Sequence, residues 1–174
     1  MVTIHRLKKN GHCLKEINRL LPQLSASGNY TLLDRKRLKQ RWLNPDFHIF
    51  VVSDKTHQNP EKLIGLCTIF FQWNLGHCIS EIHDVVVDKP HRGRGFGDLM
   101  TARLKKEART FAKRHKTDLK LYLTSRSKRR VANRMYHKHG FVLVAKAVGK
   151  WGTNLYKIAI TAHGTIKKPA PSKN

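Results

Sequence analysis

The sequence predicts a single α/β domain, in which helices flank a mixed, largely antiparallel sheet of about seven strands. Three observations lead to this prediction. Runs of β-branched and aromatic residues recur between turn-forming residues, as strands do. Stretches of helical periodicity interrupt these runs, and the clearest lies between Phe96 and His115. A chain of 174 residues, 40% of them hydrophobic, is also sufficient for one buried core.

The first part of the predicted sheet begins at the amino terminus. Val2 to Leu7 alternates apolar and polar residues, which predicts a strand that ends before Asn10-Gly11. Apolar residues at helical spacing predict helices over His12 to Leu24 and over Asp34 to Leu43, the second with Asp34 as its N-cap residue. Three strands follow as an antiparallel meander, at Phe47 to Val52, Lys62 to Trp73 and His77 to Val87.

The second part is organised around the helix from Phe96 to His115, whose single apolar face predicts packing against the sheet. That face consists of Phe96, Leu99, Met100, Leu104, Ala108, Phe111 and Ala112. The remaining predicted elements are a strand at Leu119 to Thr124, a helix at Lys128 to His139 closed by Gly140, and strands at Phe141 to Ala145 and Asn154 to Ile160. Apolar periodicity then ceases, so we predict a domain at residues 1–162 and a disordered basic tail at residues 163–174.

The formal net charge of +24 is extreme for this length. It favours a polyanionic partner such as RNA or the ribosome, or an acidic protein substrate. Lysine and arginine are spread over the whole chain rather than gathered in one arm, so solvated basic faces explain the charge equally well. The charge therefore bears on partners and not on chemistry.

The sequence contains no feature that predicts membrane insertion, export or a structural metal. No run approaches the ~20 apolar residues that span a bilayer, and the first residues form neither a secretory signal nor a transit peptide. The three cysteines are far apart and form no Cys-x-x-Cys pair, which argues against a disulfide framework and against a zinc site. We therefore expect a cytoplasmic protein without membrane contact and without metal.

The most informative segment lies between the strand that ends at Val85-Val86-Val87 and the long helix. It reads Arg92-Gly93-Arg94-Gly95-Phe96-Gly97. Glycines at alternate positions allow backbone N–H groups to turn toward a ligand, and the helix N-terminus that follows favours an anion. The two arginines add charge-assisted donors for phosphate oxygens. The segment therefore predicts a phosphate-binding turn.

The spacing within this turn distinguishes between phosphate-binding motifs. A dinucleotide-binding Gly-x-Gly-x-x-Gly requires glycine at the position of Asp98. A P-loop requires Gly-Lys-Ser/Thr at the end of the turn, and this chain has none there. Arg92, Gly95 and Gly97 instead complete the pattern Arg-x-x-Gly-x-Gly. That pattern resembles the pyrophosphate turn of coenzyme A acetyltransferases.

A second motif extends the resemblance. On the helix after Leu119 to Thr124, Asn133 and Tyr136 precede the Gly140-Phe141 pair that opens the next strand. From His77 to Ile158 the chain resembles the GNAT superfamily of N-acetyltransferases. The resemblance implies a GNAT-like domain, with acetyl-CoA as the acyl donor between the fourth and fifth strands, and direct transfer of the acetyl group to an amine. Dimers are frequent in the family, which leaves a homodimer open.

The resemblance also implies roles for individual side chains. Glu81 occupies the position of the general base. His83 is a rival base or a partner that orients water, because other members have glutamate in the triplet that reads Ile82-His83-Asp84 here. Asp84 matches a residue that holds the acceptor's amine, and it is a third candidate for the base. Tyr136 is implied as the general acid for the departing thiolate, and Asn133 as the partner of the pantetheine amide.

The donor would also contact the main chain. The backbone of the three valines is expected to pair with the pantetheine arm as an added strand would and to polarise the acetyl carbonyl. The implied donor-binding residues are Val85, Val86, Val87, Arg92, Gly93, Arg94, Gly95, Phe96, Gly97, Asn133 and Tyr136.

The sequence thus predicts an acetyl-CoA-dependent N-acetyltransferase that acts on a primary amine of a small molecule, a lysine or a protein N-terminus. Two other classes of function stay open. One is a basic RNA- or ribosome-binding protein on a GNAT-like scaffold. The other is a regulatory domain that binds coenzyme A without turnover.

Overall fold

The computed structural model describes residues 2–7, 13–24, 30–54, 62–150 and 152–167. Within these ranges the strands are β1 (Val2–Arg6), β2 (Phe47–Asp54), β3 (Leu63–Trp73), β4 (Cys78–Val87), β5 (Leu119–Arg126), β6 (Val142–Val148), β7 (Thr153–Ile160) and β8 (Ile166–Lys167). The α-helices are α1 (Leu14–Leu20), α2 (Arg35–Leu43), α3 (Phe96–His115) and α4 (Arg130–Lys138). Short 3₁₀ helices lie at Leu21–Leu24 and Lys89–His91.

The strands form one sheet in the order β1-β2-β3-β4-β5-β7-β6, and β8 pairs with β7. β4 and β5 are parallel, whereas β1–β2, β2–β3, β5–β7, β6–β7 and β7–β8 are antiparallel. The predicted α/β class, with a mixed and largely antiparallel sheet, is confirmed. None of the helices in the described ranges is both long enough and apolar enough to cross a membrane.

The chain divides into two compact units, and the division passes through β3, β4 and α3. The first unit comprises Met1–Phe70 and His83–Leu104, and the second comprises Phe71–Ile82 and Lys105–Asn174. Apolar side chains from α1, α2 and the first strands form the core of the first unit. Its buried members are Leu7, Ile17, Leu20, Leu21, Leu38, Ile49, Val51, Leu63, Leu66 and Val86.

The two amino-terminal helices differ in how closely they follow the prediction. α2 begins and ends as expected, because the Asp34 carboxylate accepts a hydrogen bond from Arg37 N (2.7 Å) and Asn44 adopts the extended conformation that a following proline favours. α1 is shorter than predicted and continues as a 3₁₀ helix, because Pro22 has no N–H to donate to the preceding turn. Its predicted start at His12 lies outside the described residues.

The long helix α3 has the predicted bounds. Five residues of its predicted apolar face are buried, namely Met100, Leu104, Ala108, Phe111 and Ala112. Leu99 is 39% exposed and is not part of that face. It shares a helical row with Arg103, four residues on, so that row lies at the border of the buried face.

The second unit packs β5 and the end of α3 around aromatic side chains. Leu119, Leu121 and Leu123 alternate inward along β5, and Phe71 stacks on Phe111 with ring centroids 3.8 Å apart. At the end of α4, Gly140 adopts φ of +82° and its N–H donates to His137 O (2.8 Å). The predicted closure of this helix by glycine is confirmed.

The predicted disordered tail needs a correction at its start. Thr161 N donates to Thr165 O (2.8 Å), and this turn returns the chain so that Ile166 and Lys167 pair with β7 as strand β8. The Lys167 ammonium also contacts the Asp118 carboxylate at 2.6 Å. Two strand residues are too few to produce an apolar period, which is why the sequence does not reveal them. Residues 168–174 lie outside the described ranges.

Candidate active site

The phosphate turn, residues 92–97, links the end of β4 to α3 in the first unit. Gly93 and Gly95 have φ of +77° and +81°, in the left-handed region that glycine adopts without strain. A Cβ atom at either position would meet no other atom within 4 Å. Glycine is therefore required here by backbone conformation, and the space beside the turn is open.

The backbone N–H groups of residues 93–97 lie just before the first hydrogen bond of α3. In the part of the chain that the structure describes, none of them donates a hydrogen bond. The bond from Leu99 N to Gly95 O (3.1 Å) begins the helical series, so the amides just before it are those that any helix leaves unpaired. Together with the positive end of the helix dipole, these donors favour a phosphate group.

The two arginines of the turn contact the protein in different ways. Arg92 Nε donates to Val87 O (3.0 Å), and Arg92 Nη2 lies 3.5 Å from Gln23 Oε1. The Arg94 guanidinium lies over the Phe96 ring, 5.5 Å from its centroid. Both side chains are exposed. A guanidinium has five N–H donors, so these contacts leave others for an anion.

Asp88 lies at the entrance to the turn and is only 3% exposed. Its two carboxylate oxygens accept hydrogen bonds from Gln23 Nε2 (2.9 Å) and Arg19 Nη1 (2.6 Å). Burial alone would raise the pKa of Asp88, but these hydrogen bonds outweigh burial and the pKa lies below its ordinary value. Burial would likewise raise the pKa of Glu16, but hydrogen bonds from Arg19 and Leu63 N outweigh it and the pKa lies below its ordinary value.

These two carboxylates predict acid-sensitive stability. Because each binds its proton less tightly in the folded state, the stability it contributes is present above the unfolded pKa of ~4 and is lost as the pH falls below it. Asp88→Asn should therefore lower the free energy of unfolding at pH 7 and have a smaller effect at pH 3. Urea unfolding of both proteins at the two pH values measures the difference. An equal loss at both values would show that the charge of Asp88 contributes nothing.

Val86, the central residue of the three valines, is buried at 3% exposure, and its backbone lies against Gly65 of β3. A Cβ atom at Gly65 would come within 2.7 Å of Val86 O and 3.4 Å of the Met100 Sδ and Cε atoms. Gly65 is therefore required for a close approach of backbone, not for a turn. No local pattern in the sequence indicates this contact, because Val86 lies 21 residues further along the chain.

Gly65→Ala is expected to destabilise the protein by about 1–3 kcal/mol, because the added methyl group overlaps a backbone carbonyl that cannot move independently of its strand. The melting temperature should fall by roughly 5 °C for a chain of this size. Gly76→Ala is the matched control, since a Cβ atom there meets nothing within 4 Å. Thermal unfolding measures both variants, and equal melting temperatures would contradict the close approach.

Asp84 is the most constrained of the predicted acceptor-side residues. It lies within β4 yet has φ of +52°, which is uncommon for a residue other than glycine. Its carboxylate accepts hydrogen bonds from Tyr30 Oη (2.7 Å) and Thr68 Oγ1 (3.1 Å). The side chain is thereby held in one orientation, and each carboxylate oxygen retains acceptor capacity.

The two candidate bases lie on the same predicted face of β4 but fall in different units. His83 belongs to the first unit and is exposed, whereas Glu81 belongs to the second unit and is half-buried. Glu81 is in register with Tyr122 across the parallel β4–β5 pair. The buried residues Ile82 and Val86 alternate with this face, as the sequence predicts.

Asn133 of α4 belongs to the second unit, and the two ends of its side-chain amide differ in their hydrogen bonding. Its Nδ2 donates to Arg126 O and Ser127 O, each at 3.1 Å, which assigns the amide orientation because both partners are acceptors. Its Oδ1 is buried and, among the described residues, has no hydrogen-bond partner. A buried acceptor without a partner is costly, so this oxygen is suited to an N–H donor from a ligand.

Tyr136 lies one helical turn after Asn133 and is 6% exposed. Its ring packs edge-on against Phe141 and tilted against Tyr156, with both centroid distances 6.0 Å. Tyr136 O also accepts a hydrogen bond from Phe141 N (3.0 Å). Aromatic packing thus fixes the ring, and the position of the phenol oxygen follows from it.

Comparison with known proteins identifies the family. The model of the Acetyltransferase (GNAT) family matches residues 15–141, which is most of the chain. The chain belongs to the GNAT family. The resemblance found in the sequence is therefore confirmed at the level of the family. No curated protein matches this family member in sequence.

Solved structures share the fold of this GNAT protein. Arabidopsis thaliana NAA60 in complex with acetyl-CoA is 14% identical, with a TM-score of 0.71 over 92% of this chain and 99% of that chain. Glucosamine-6-phosphate N-acetyltransferase from Arabidopsis thaliana is 20% identical, with a TM-score of 0.66 over 87% and 98%. A spermidine N-acetyltransferase chimera of Vibrio cholerae SpeG and hSSAT is 19% identical, with a TM-score of 0.67 over 92% and 95%. At such identities the likeness concerns the fold.

Each unit of this GNAT protein, taken by itself, contains groups that fit the donor of the family. The first offers the unpaired N–H groups of the phosphate turn, and the second offers the buried Asn133 Oδ1. Across the described ranges, no three His, Cys, Asp or Glu side chains approach closely enough to hold a metal ion.

Several side chains in contact with the predicted site residues were not found from the sequence. Tyr30 and Thr68 bond Asp84, and Gln23 and Arg19 bond Asp88. Each partner lies 16 or more residues away along the chain, so no local spacing reveals the pairs. One indirect signal is present in the sequence: Arg19 and Gln23 do not belong to the apolar stripe of the helix predicted from His12 to Leu24.

Proposed function

We propose that this GNAT protein is an N-acetyltransferase that moves the acetyl group of acetyl-CoA directly to a primary amine. The observation that carries the proposal is the phosphate turn, with its two left-handed glycines and its unpaired backbone N–H groups at the start of α3. Structural neighbours support the reaction class, because their names specify acetylation of spermidine or glucosamine-6-phosphate, and one was solved with acetyl-CoA.

Donor binding is assigned to main-chain groups and to Asn133. The N–H groups of residues 93–97 would hold the diphosphate, with Arg92 and Arg94 adding charge. The backbone of Val85, Val86 and Val87 would bond the pantetheine arm, and Asn133 Oδ1 would accept from a pantetheine amide. When bound, acetyl-CoA supplies the acetyl thioester that the amine attacks.

The acceptor amine must lose a proton, because an alkylammonium has a pKa of ~10 and cannot attack in its charged form. We assign the general base to Glu81 and keep His83 as its rival. Asp84 is assigned to the acceptor, where its carboxylate would accept a hydrogen bond from the amine. The bonds from Tyr30 and Thr68 support this role, since they orient Asp84 before an acceptor arrives.

Tyr136 is assigned as the general acid. A phenol is neutral at pH 7, so its Oη–H can donate a proton to a departing thiolate without carrying charge beforehand. The packing of its ring against Phe141 and Tyr156 supports this role, because a positioned donor needs no reorganisation when charge develops.

A thiol-release assay tests the proposal. Purified protein is incubated with acetyl-CoA and a panel of polyamines, aminosugars and peptides, and each product mass is measured. Release of free coenzyme A together with a 42-dalton gain on one class of amine, roughly the mass of an acetyl group replacing a proton, is the expected result. Binding of acetyl-CoA without thiol release on any member would instead indicate a regulatory domain that does not turn over.

A second candidate function rests on the helix α2. Five of its nine residues are basic and exposed, namely Arg35, Lys36, Arg37, Lys39 and Arg41. Arg35, Lys36 and Arg37 lie in the first turn, where cations oppose the helix dipole, so a polyanion such as RNA would stabilise this surface. Salt-sensitive RNA binding that persists in a Gly95→Val variant would favour this function over donor chemistry.

A further inference from the structure

The side of α1 and its 3₁₀ continuation that faces away from the core is polar and makes specific contacts. Glu16, Arg19 and Gln23 are spaced by three and four residues and therefore share one side of the helix, while Ile17 and Leu20 are buried in the core. Arg19 and Gln23 form hydrogen bonds with groups just after β4, in Asp88 and Lys89. Glu16 accepts a hydrogen bond from the first residue of β3. Every one of these residues belongs to the first unit.

Gln23 contacts the entrance of the phosphate turn with both ends of its amide. Its Oε1 accepts a hydrogen bond from Lys89 N (3.0 Å) and lies 3.5 Å from Arg92 Nη2. Its Nε2 donates to Asp88 Oδ1 (2.9 Å). Arg92 in turn donates to Val87 O, so one amide connects the residue after β4 with the first arginine of the turn.

Asp88 is held from the other side by Arg19. The Arg19 guanidinium donates to Asp88 Oδ2 (2.6 Å), to Leu63 O (2.8 Å) and to the Glu16 carboxylate. Leu63 N donates to Glu16 Oε2 (3.1 Å), and Asp88 N donates to Ile64 O (2.8 Å). The start of the turn is therefore tied to α1 and to β3 by side-chain and main-chain bonds.

Energetics argue that this network serves position more than stability. A partly buried ion pair loses much of its Coulomb attraction to desolvation, and apolar residues of the same size commonly stabilise a fold as well. Apolar residues could not, however, bond Lys89 N or accept from Arg92. The network therefore fixes the geometry of the chain at residues 88–92. The unpaired N–H groups of residues 93–97 follow directly.

We infer that Gln23 is a positioning residue for the phosphate turn and that Asp88 holds Gln23 in place for this role. The inference rests on the proposed function and deepens it, because it states which side chains outside the motif set the affinity for the donor's diphosphate. Neither residue is assigned a contact with the donor. Both act through the backbone of residues 89–97.

The test compares two ligands that differ in the diphosphate. Binding of acetyl-CoA is measured by calorimetry, and binding of acetyl-pantetheine, which lacks the diphosphate and the nucleotide, by ligand-observed NMR. The variants are Gln23→Ala and Asp88→Asn, and the control is Gln40→Ala, which removes the same side chain from an exposed position on α2. Melting temperatures are recorded for all of them without ligand.

Loss of one or two hydrogen bonds at the turn should raise the Kd for acetyl-CoA roughly threefold to tenfold in both variants. The affinity for acetyl-pantetheine should stay at the wild-type value, and so should kcat at saturating donor, while KM for acetyl-CoA rises. Gln40→Ala should match the wild type in every measurement. Such a selective effect cannot come from a general loss of stability.

Two results would overturn the inference. If both variants bind acetyl-CoA as the wild type does, or if both ligands are weakened equally, Gln23 does not position the turn and the proposed function stands. If the wild type binds acetyl-pantetheine and acetyl-CoA with the same affinity, the turn does not hold a diphosphate, and the inference and the donor assignment both fail.

Discussion

Gly95→Val is expected to weaken acetyl-CoA binding by about 100-fold or more, with a comparable loss of kcat/KM. Gly95 has φ of +81°, a conformation that costs a side-chain-bearing residue ~1–2 kcal/mol and a β-branched residue more. Relief of that strain would turn the neighbouring N–H groups away from the ligand, and each charge-assisted bond lost costs about 1.5–3 kcal/mol. Isothermal titration calorimetry with acetyl-CoA measures the effect.

Gly149→Val is the matched control for this prediction. Gly149 follows β6, has φ of +71° and, like Gly95, would place a Cβ atom in open space. The same strain arises outside the phosphate turn, so stability should fall similarly in both variants while acetyl-CoA affinity falls only in Gly95→Val. Wild-type affinity in Gly95→Val, or equal losses of affinity in the two variants, would show that the turn is not a phosphate site.

Tyr136→Phe is expected to lower kcat by about 100-fold, at the lower end of the range for loss of a general acid. The Kd for acetyl-CoA should change little, because the ring and its packing against Phe141 and Tyr156 remain. Steady-state kinetics with the amine identified by thiol release, combined with calorimetry of the donor, separate the two effects.

Tyr156→Phe tests whether any buried hydroxyl in this cluster has the same effect. Tyr156 is 1% exposed, and its Oη accepts a hydrogen bond from Asn154 Nδ2 (3.3 Å). Its removal should cost about 1 kcal/mol of stability and leave kcat near the wild-type value. An equal loss of kcat and donor affinity in Tyr136→Phe would remove the acid role and leave Tyr136 as a packing residue.

Much of the fold could be predicted from the sequence because the signals for its main helices and strands come from residues close together along the chain. The apolar stripe of α3, the Asp34 cap of α2 and the Gly140 closure of α4 each depend on residues within a few positions of one another. Where the signal is short or interrupted, the prediction fails. The two-residue strand β8 has no period to detect, and Pro22 converts the end of the first predicted helix into a 3₁₀ turn.

Some residues of the candidate site could likewise be predicted from the sequence, and others could not. The phosphate turn and the Asn133–Tyr136 pair are contiguous motifs, and the structure places them at the start of α3 and along α4. The residues that support them come from distant parts of the chain. Gly65 against Val86, and Gln23 against Asp88, depend on which strands and helices pack together. Sequence spacing carries no information about such contacts.

The left-handed backbone conformation of Asp84 is a further feature that the sequence pattern of β4 does not predict. Asp84 and Val85 are both half-buried, so the strict alternation of β4 is interrupted here, but the sequence around Asp84 still reads as an ordinary strand. Strained residues of this kind concentrate at functional sites, because surrounding contacts must hold them in place. Here those contacts are the hydrogen bonds from Tyr30 and Thr68.

Calorimetric titration of the wild-type protein with acetyl-CoA, beside acetyl-pantetheine at the same concentrations, tests whether the phosphate turn binds the donor. We expect binding at one site per chain with a Kd roughly between 1 μM and 1 mM, the range of most enzyme KM values. Acetyl-pantetheine should bind at least tenfold more weakly, since loss of a single charge-assisted bond costs about 1.5–3 kcal/mol. No heat and no thermal shift with millimolar acetyl-CoA would contradict the claim that residues 92–97 hold its diphosphate.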